Sequence, residues 1–189
     1  MNTDTKSALL DSAEHAARSR GIDGFSYADL ATAVGIRKAS IHYHFPSKAD
    51  LSAALMDRYH QSVEAACVEI DHEHSRGGAR LAAVIAFYRA ALNDGQTLCL
   101  CVSFIMGWES LHPPVHAKID SFRAMMLDWL TATFTRGLAD GSIRAVEDPS
   151  AEAHAALAML EGAQIAARAC ADPARFDQSV RLLLARCDR

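Results

Sequence analysis

The chain has 189 residues, half of them hydrophobic and 22% charged, with a formal net charge of −4. That length can bury a sizeable core, either in one large domain or in a small domain carried on a larger one, and the slight acidity excludes a protein that coats polyanions through bulk charge. The longest apolar run, 98–108, is too short to span a bilayer and no charged-then-apolar leader opens the chain, so a cytoplasmic protein with no membrane partner is expected.

Ala and Leu are frequent, β-branched runs are absent and no strand-like alternation persists, which predicts an all-α fold. A first helix is predicted over 3–20, with Ala8, Leu9, Ala13, Ala16 and Ala17 inward and Gly21 as its stop. Phe25 then anchors a small core. Ser26 is placed to cap a helix over 27–34, with Asp29 three residues on adding charge where the dipole favours it. Gly35 supplies the positive φ of a sharp turn. A short helix over about 37–45 follows, too short to stand alone, so Ile36, Ile41 and Phe45 are expected to pack it on its neighbours. Helix, tight glycine turn and helix in this order compose a helix-turn-helix.

The opposite face of that short helix offers Arg37, Lys38, Ser40, His42, Tyr43 and His44, with small Ala39 permitting close backbone approach. Donors and aromatic edges of this kind suit a major groove. Arg37 and Lys38 stand in the first turn, where a recognition helix meets base edges, and Ser40, Tyr43 and His44 are placed as phosphate hydrogen-bonders. Pro46 stops the helix, Ser47 caps the next one, and Lys48 beside that new terminus forms an anion site for a phosphate. Residues 1–50 carry equal numbers of acids and bases, but no acid lies between Arg37 and Lys48, so any DNA contact depends on a local patch.

The run GIRKASIHYHFPSKADL resembles the recognition segment of tetracycline-repressor-like (TetR family) regulators: glycine, apolar, two variable residues, a small residue, Ser/Thr, apolar, Tyr, any, His, Phe, any, Ser/Asn, Lys, two variable residues, Leu. At the usual tyrosine position stands His42, with Tyr43 at the variable one, which leaves the aromatic phosphate contact open between them. The resemblance implies a homodimer joined through its last two helices, double-stranded DNA with a pseudo-palindromic operator as partner, base contacts from Arg37 and Lys38, and a small-molecule effector held in the body.

Downstream, a long helix over 47–75 carries a buried stripe of Leu51, Leu55, Tyr59, Val63, Ala66 and Ile70 and links a reader at 1–46 to a body at 47–189. His60, Glu64, Cys67, Asp71 and His74 form a polar row on the same helix, read as a wet face because metal ligation needs convergence; no metal or cofactor is expected. Arg76, Gly77 and Gly78 are predicted to break that helix, giving a domain boundary and a hinge at its far end. Helices follow over 79–93 and over 98–111, the latter apolar almost all round and so buried or lining a cavity. The Pro113-Pro114 pair is predicted to end it, and a long helix covers 115–139. Asp148 and Pro149 read as a cap with proline in the first turn of a helix to about 170, and a last helix covers 174–187. The surplus apolar face of these two, Ala156, Leu157, Met159, Leu160, Ala163 and Ala167 with 182–184, is predicted to meet a second copy as a four-helix bundle.

Tyr88, Cys99, Cys101, Phe104, Trp108, Met125, Met126 and Trp129 are the candidate lining of an effector pocket for an apolar or aromatic ligand. Five cysteines in no framework spacing predict free thiols. Cys99 and Cys101 permit an alternative, a thiol sensor of electrophiles or oxidants, although residues two apart on a helix point apart and neither has an adjacent base to lower its pKa. No nucleophile set, Cys-x-x-Cys or glycine-rich phosphate loop suggests an enzyme. A ligand-binding scaffold dimer that has lost the DNA function is the remaining alternative.

Overall fold

The computed structural model describes residues 2–188, whose regular elements are α-helices: α1 (Asn2–Arg20), α2 (Tyr27–Val34), α3 (Lys38–His44), α4 (Lys48–Glu73), α5 (Gly77–Ala90), α6 (Leu100–Ile105), α7 (Pro113–Ala139), α8 (Pro149–Ala169) and α9 (Ala174–Leu184). Two short 3-10 turns, Ile22–Gly24 and Trp108–Ser110, interrupt the connections. Two compact units result, and the division falls inside the long helices: one unit runs to Gln61 and includes Leu100–Asp120, the other comprises Ser62–Cys99 and the chain from Ser121.

In the first unit α1 supplies a platform of Leu9, Ala13 and Ala17, all fully buried, and small side chains there let neighbouring backbones come close. Ser103 of α6 donates its hydroxyl to the Ala17 carbonyl at the end of that platform. Arg58 of α4 spreads its guanidinium over α1, with Nη1 2.6 Å from Asp11 and Nη2 2.7 Å from Glu14, a forked pairing that holds the two helices in register.

The second unit has its core at Leu81, Phe122, Met126, Phe134, Leu160 and Phe176. Gly77 and Gly78, where a hinge is expected, are packed positions. Both open α5, both are buried, and their N–H groups donate to Asp140 (2.9 Å) and the Ser142 hydroxyl (2.7 Å). A Cβ at Gly77 would lie 2.3 Å from the Gly137 nitrogen and one at Gly78 2.5 Å from the Ser142 carbonyl oxygen, so close packing, not mobility, requires glycine there.

The segment 98–111 is also not one helix. The Cys99 N–H is taken by the Gln164 side chain (2.9 Å), α6 begins only at Leu100, and it ends after six residues. Gly107 then brings the backbone to Ile22, whose Cγ2 would stand 3.0 Å from an added Cβ. Met106 and Trp108 emerge exposed, at 68% and 38%, so the run is not buried on all sides. Pro113 and Pro114 begin α7 rather than ending a helix, at the position where a missing N–H is no loss. The predicted dimer face needs correction in part: Ala156, Leu157, Leu160, Ala163 and Ala167 of α8 and Leu183 of α9 are buried within their own chain, whereas Leu182 is exposed and Met159 and Leu184 are half-buried. Alanine surrounds α8 on every side, and the intrachain core takes the side that carries the two leucines.

Candidate nucleic-acid interface

The helix-turn-helix is assembled by local chemistry. The Ser26 hydroxyl accepts from the Asp29 N–H (3.3 Å), and the Asp29 carboxylate accepts from the Ser26 N–H (2.7 Å) in a reciprocal capping box. The Ser26 N–H first, and then the Ser26 hydroxyl, which donates to the same carboxylate oxygen (2.8 Å), hold the Asp29 carboxyl below the usual carboxylate range. Gly35 turns the chain at φ 73°, and Ile41 and Phe45 are buried, fixing which face of α3 is outward.

Tyr27, which sequence reasoning treats only as the first residue of a helix, is the clasp of the motif. Its hydroxyl lies 2.9 Å from the Phe45 carbonyl and 2.6 Å from the Ser47 carbonyl, so it donates into the elbow between α3 and α4. Burial, and secondarily the Asp50 charge, push its phenol up to about 12.

On the outward face Arg37, Lys38, Ala39, His42 and Tyr43 are exposed, and Ser40 and His44 half-buried. A concavity of about 870 Å³ is lined by Arg37, Ala39, Ser40, Tyr43 and His44 together with Ile36 and Thr5. The two aromatic positions differ. Tyr43 projects with 74% of its surface exposed, edge-on to His44. The His42 ring leans on Tyr27 at 4.9 Å, and its Nδ1 lies 3.2 Å from the Pro46 carbonyl oxygen.

Lys48 is half-buried. Its Nζ donates to the Phe25 carbonyl (2.8 Å) and sits 4.8 Å from the Phe25 ring centroid. Ser47 caps α4 in a second reciprocal box, its own N–H and hydroxyl bonded to Asp50 (2.9 and 2.7 Å). A carboxylate of the chain itself therefore occupies part of the anion site that the helix terminus offers.

The eight candidate pocket residues do not fall together in one unit: Cys101, Phe104 and Trp108 lie in the first, Tyr88, Cys99, Met125, Met126 and Trp129 in the second. Trp108 stacks flat on His116 at 3.9 Å. Trp129 donates its indole N–H to Asp71 (3.2 Å), which also pairs with Arg80 (2.6 Å). Cys99 and Cys101 are both buried, and no disulfide forms among the described residues. Burial, then the charges of Asp71 and Glu64, push the Cys67 thiol up to about 12. A cleft of about 610 Å³ does open in the second unit, but along α5 and α9, between Ala82, Ala83, Ile85 and Ala86 on one side and Phe176, Val180 and Leu184 on the other. None of the eight lines it. Among the described residues no helix is long and apolar enough to cross a membrane.

Residues 9–55 match the model of the tetR family of bacterial regulatory proteins, and residues 77–183 match the tetracyclin repressor-like C-terminal domain. The chain belongs to the tetR family. A TetR-family transcriptional regulator from Agrobacterium tumefaciens is 32% identical and superposes with a TM-score of 0.94, covering 100% of each chain. The reduced form of NemR from E. coli has the same fold at 19% identity, with a TM-score of 0.83 over 98% of this chain and 97% of its own. Over 59 residues, 31% of the chain, it is 34% identical to the HTH-type transcriptional regulator TtgR of Pseudomonas putida; that stretch spans 28% of TtgR's length. This tetR-family member is a DNA-binding transcriptional regulator of the helix-turn-helix type.

Proposed function

We propose that this regulator is a homodimeric repressor that places α3 of each copy in successive major grooves of a pseudo-palindromic operator and is released by a small apolar or aromatic ligand. The observation that carries the DNA part is the concavity on the outward side of the turn and α3, which Arg37, Ser40, Tyr43 and His44 line with no carboxylate, Lys38 standing exposed beside Arg37 in the chain. Arg37 and Lys38 read base edges in this account, and Ser40, Tyr43 and His44 hold phosphates. Tyr43 is the aromatic phosphate donor, because its hydroxyl is presented to solvent while the His42 ring is engaged with Tyr27 and Pro46. Lys48 fixes Phe25 with one of its three N–H donors, and the others remain for a phosphate.

The dimer joins through α8 and α9. On α8 the face left open is Ala151, Ala155, Ala158, Gly162, Ile165 and Ala169, all exposed, and the positions advance alternately by four and three residues. Such a seam of small residues admits a second helix closely. For the effector, the α5–α9 cleft has the volume and apolar lining of a small-molecule site. Release requires that the ligand bind the non-DNA conformation more tightly than the DNA-bound one. Burial of Cys99 and Cys101 keeps both sulfurs from a dissolved electrophile, so thiol sensing has no support in this conformation.

The test is operator binding by point variants. Arg37→Ala or Lys38→Ala should lower affinity and relax base preference, each good base contact being worth about 1–3 kcal/mol of discrimination. Tyr43→Phe should weaken binding about tenfold on all sequences alike, as loss of a hydrogen bond to a charged group does. Equal, sequence-blind losses from Arg37→Ala, Lys38→Ala and Tyr43→Phe would contradict these roles.

A further inference from the structure

The concavity in front of α3 is not built by α3 alone. Thr5, in the first turn of α1, is part of its wall, opposite Arg37, Ser40 and Tyr43. The next residue, Lys6, is exposed, with its ammonium 5.8 Å from the centroid of the Phe45 ring, the residue that ends α3. That separation is near the outer limit of a cation–π contact, a weak attraction for an exposed ammonium on a flexible four-carbon stem. The contrast with Lys48 is direct: its ammonium is bonded to a carbonyl and lies 4.8 Å from its ring.

A helix lying in a major groove about 12 Å wide is bordered by phosphates along both walls. Whatever stands beside α3 at the level of its outward face therefore meets backbone, not base edges. We propose that Thr5 and Lys6 are phosphate-contacting residues of the DNA interface: the Thr5 hydroxyl donates to a phosphodiester and the Lys6 ammonium pairs with one, so that α1 sets how α3 seats in its groove. The inference rests on α3 being the helix that enters the groove. It assigns to α1, otherwise the buried platform of the motif, a direct part in affinity and none in sequence choice.

The experiment uses the full-length protein and a DNA fragment that the wild type protects in footprinting, titrated by fluorescence anisotropy at several salt concentrations with Lys6→Ala, Lys6→Arg and Thr5→Val. Lys6→Ala should weaken binding by about tenfold near physiological salt, reduce the slope of log affinity against log salt by about one, and leave the ranking of base-pair-substituted fragments unchanged. Lys6→Arg should restore both affinity and slope. Thr5→Val should weaken binding by about tenfold with the slope unchanged, since a hydrogen bond to a charged group but no charge is lost. A purely structural role for Lys6 would move the melting temperature and not the slope. Wild-type affinity and slope in Lys6→Ala would overturn the proposal, as would an altered ranking of fragments, which would mean base reading. If Arg37→Ala is also silent on that fragment, the placement of α3 fails and this inference fails with it; silence of Lys6→Ala alone rejects the role of α1 and leaves α3 in place.

Discussion

Gly162 separates what α8 does inside one chain from what it does between two. It stands in mid-helix, and no atom lies within 4 Å of where a Cβ would be. Within a single chain, replacing it is therefore favourable: glycine in an exposed helix interior costs about 0.8–1.0 kcal/mol relative to alanine, and arginine is close to alanine. If the open face of α8 packs on its twofold mate, the sign reverses. Forcing a larger side chain into a close-packed contact costs about 1–3 kcal/mol, and an isologous interface carries the substitution twice, about 2–6 kcal/mol for the pair. That corresponds to a dimer dissociation constant raised roughly thirtyfold or more, before the cost of burying two unpaired guanidinium groups. Sedimentation velocity over a concentration series should show Gly162→Arg as a monomer where the wild type is a dimer, with the helical circular dichroism signal retained. A variant that dimerises like the wild type would refute the assignment of this face. Loss of the helical signal would refute the claim that the position is open.

Three further substitutions test the internal chemistry. Tyr27→Phe removes the donor that clasps the Phe45 and Ser47 carbonyls and should cost about 1–3 kcal/mol in chemical denaturation. The phenol is held neutral up to about 12 in the folded chain against an ordinary 10, so this contribution is complete below pH 10 and is lost as the pH rises from 10 towards 12. The stability difference between wild type and Tyr27→Phe should shrink over that interval; a difference constant with pH would contradict it. Gln164 is fully buried, accepting from the Cys99 N–H and donating to the Tyr88 carbonyl (2.8 Å). Gln164→Leu keeps its bulk and removes both bonds, so a loss of about 1–3 kcal/mol is expected in the same assay, whereas an unchanged midpoint would show that the bonds are dispensable. Gly77→Ala should lower the melting temperature by several degrees, because the added methyl meets the Gly137 backbone; a neutral result would mean that α5 can shift.

Local signals were the legible ones. The Ser26 cap, the Gly35 turn and the Asp148–Pro149 start each depend on residues within four positions, and each stands where sequence reasoning puts it. The run from Gly35 to Leu51 likewise identified the family, since its spacing is set by the packing of two short helices. What remained hidden depends on partners far along the chain. Nothing in 98–111 shows that Gln164 takes the Cys99 N–H and delays α6, or that Gly107 must approach Ile22. On α8, alanine on all sides removes the contrast between faces from which an inward side is inferred, so the inward stripe of Leu157 and Leu160 does not stand out in the sequence. The part played by Tyr27 could not be read either, because its two acceptors lie 18 and 20 residues away.

The most direct test of the central claim is a titration of the purified protein against DNA from its own upstream region, followed by footprinting at two salt concentrations. The account predicts protection of a pseudo-palindrome whose half-site centres are about 34 Å apart or a multiple of that, with affinity falling steeply as salt rises. Protection no stronger than on unrelated DNA, from a protein shown to be dimeric in the same buffer, would contradict it.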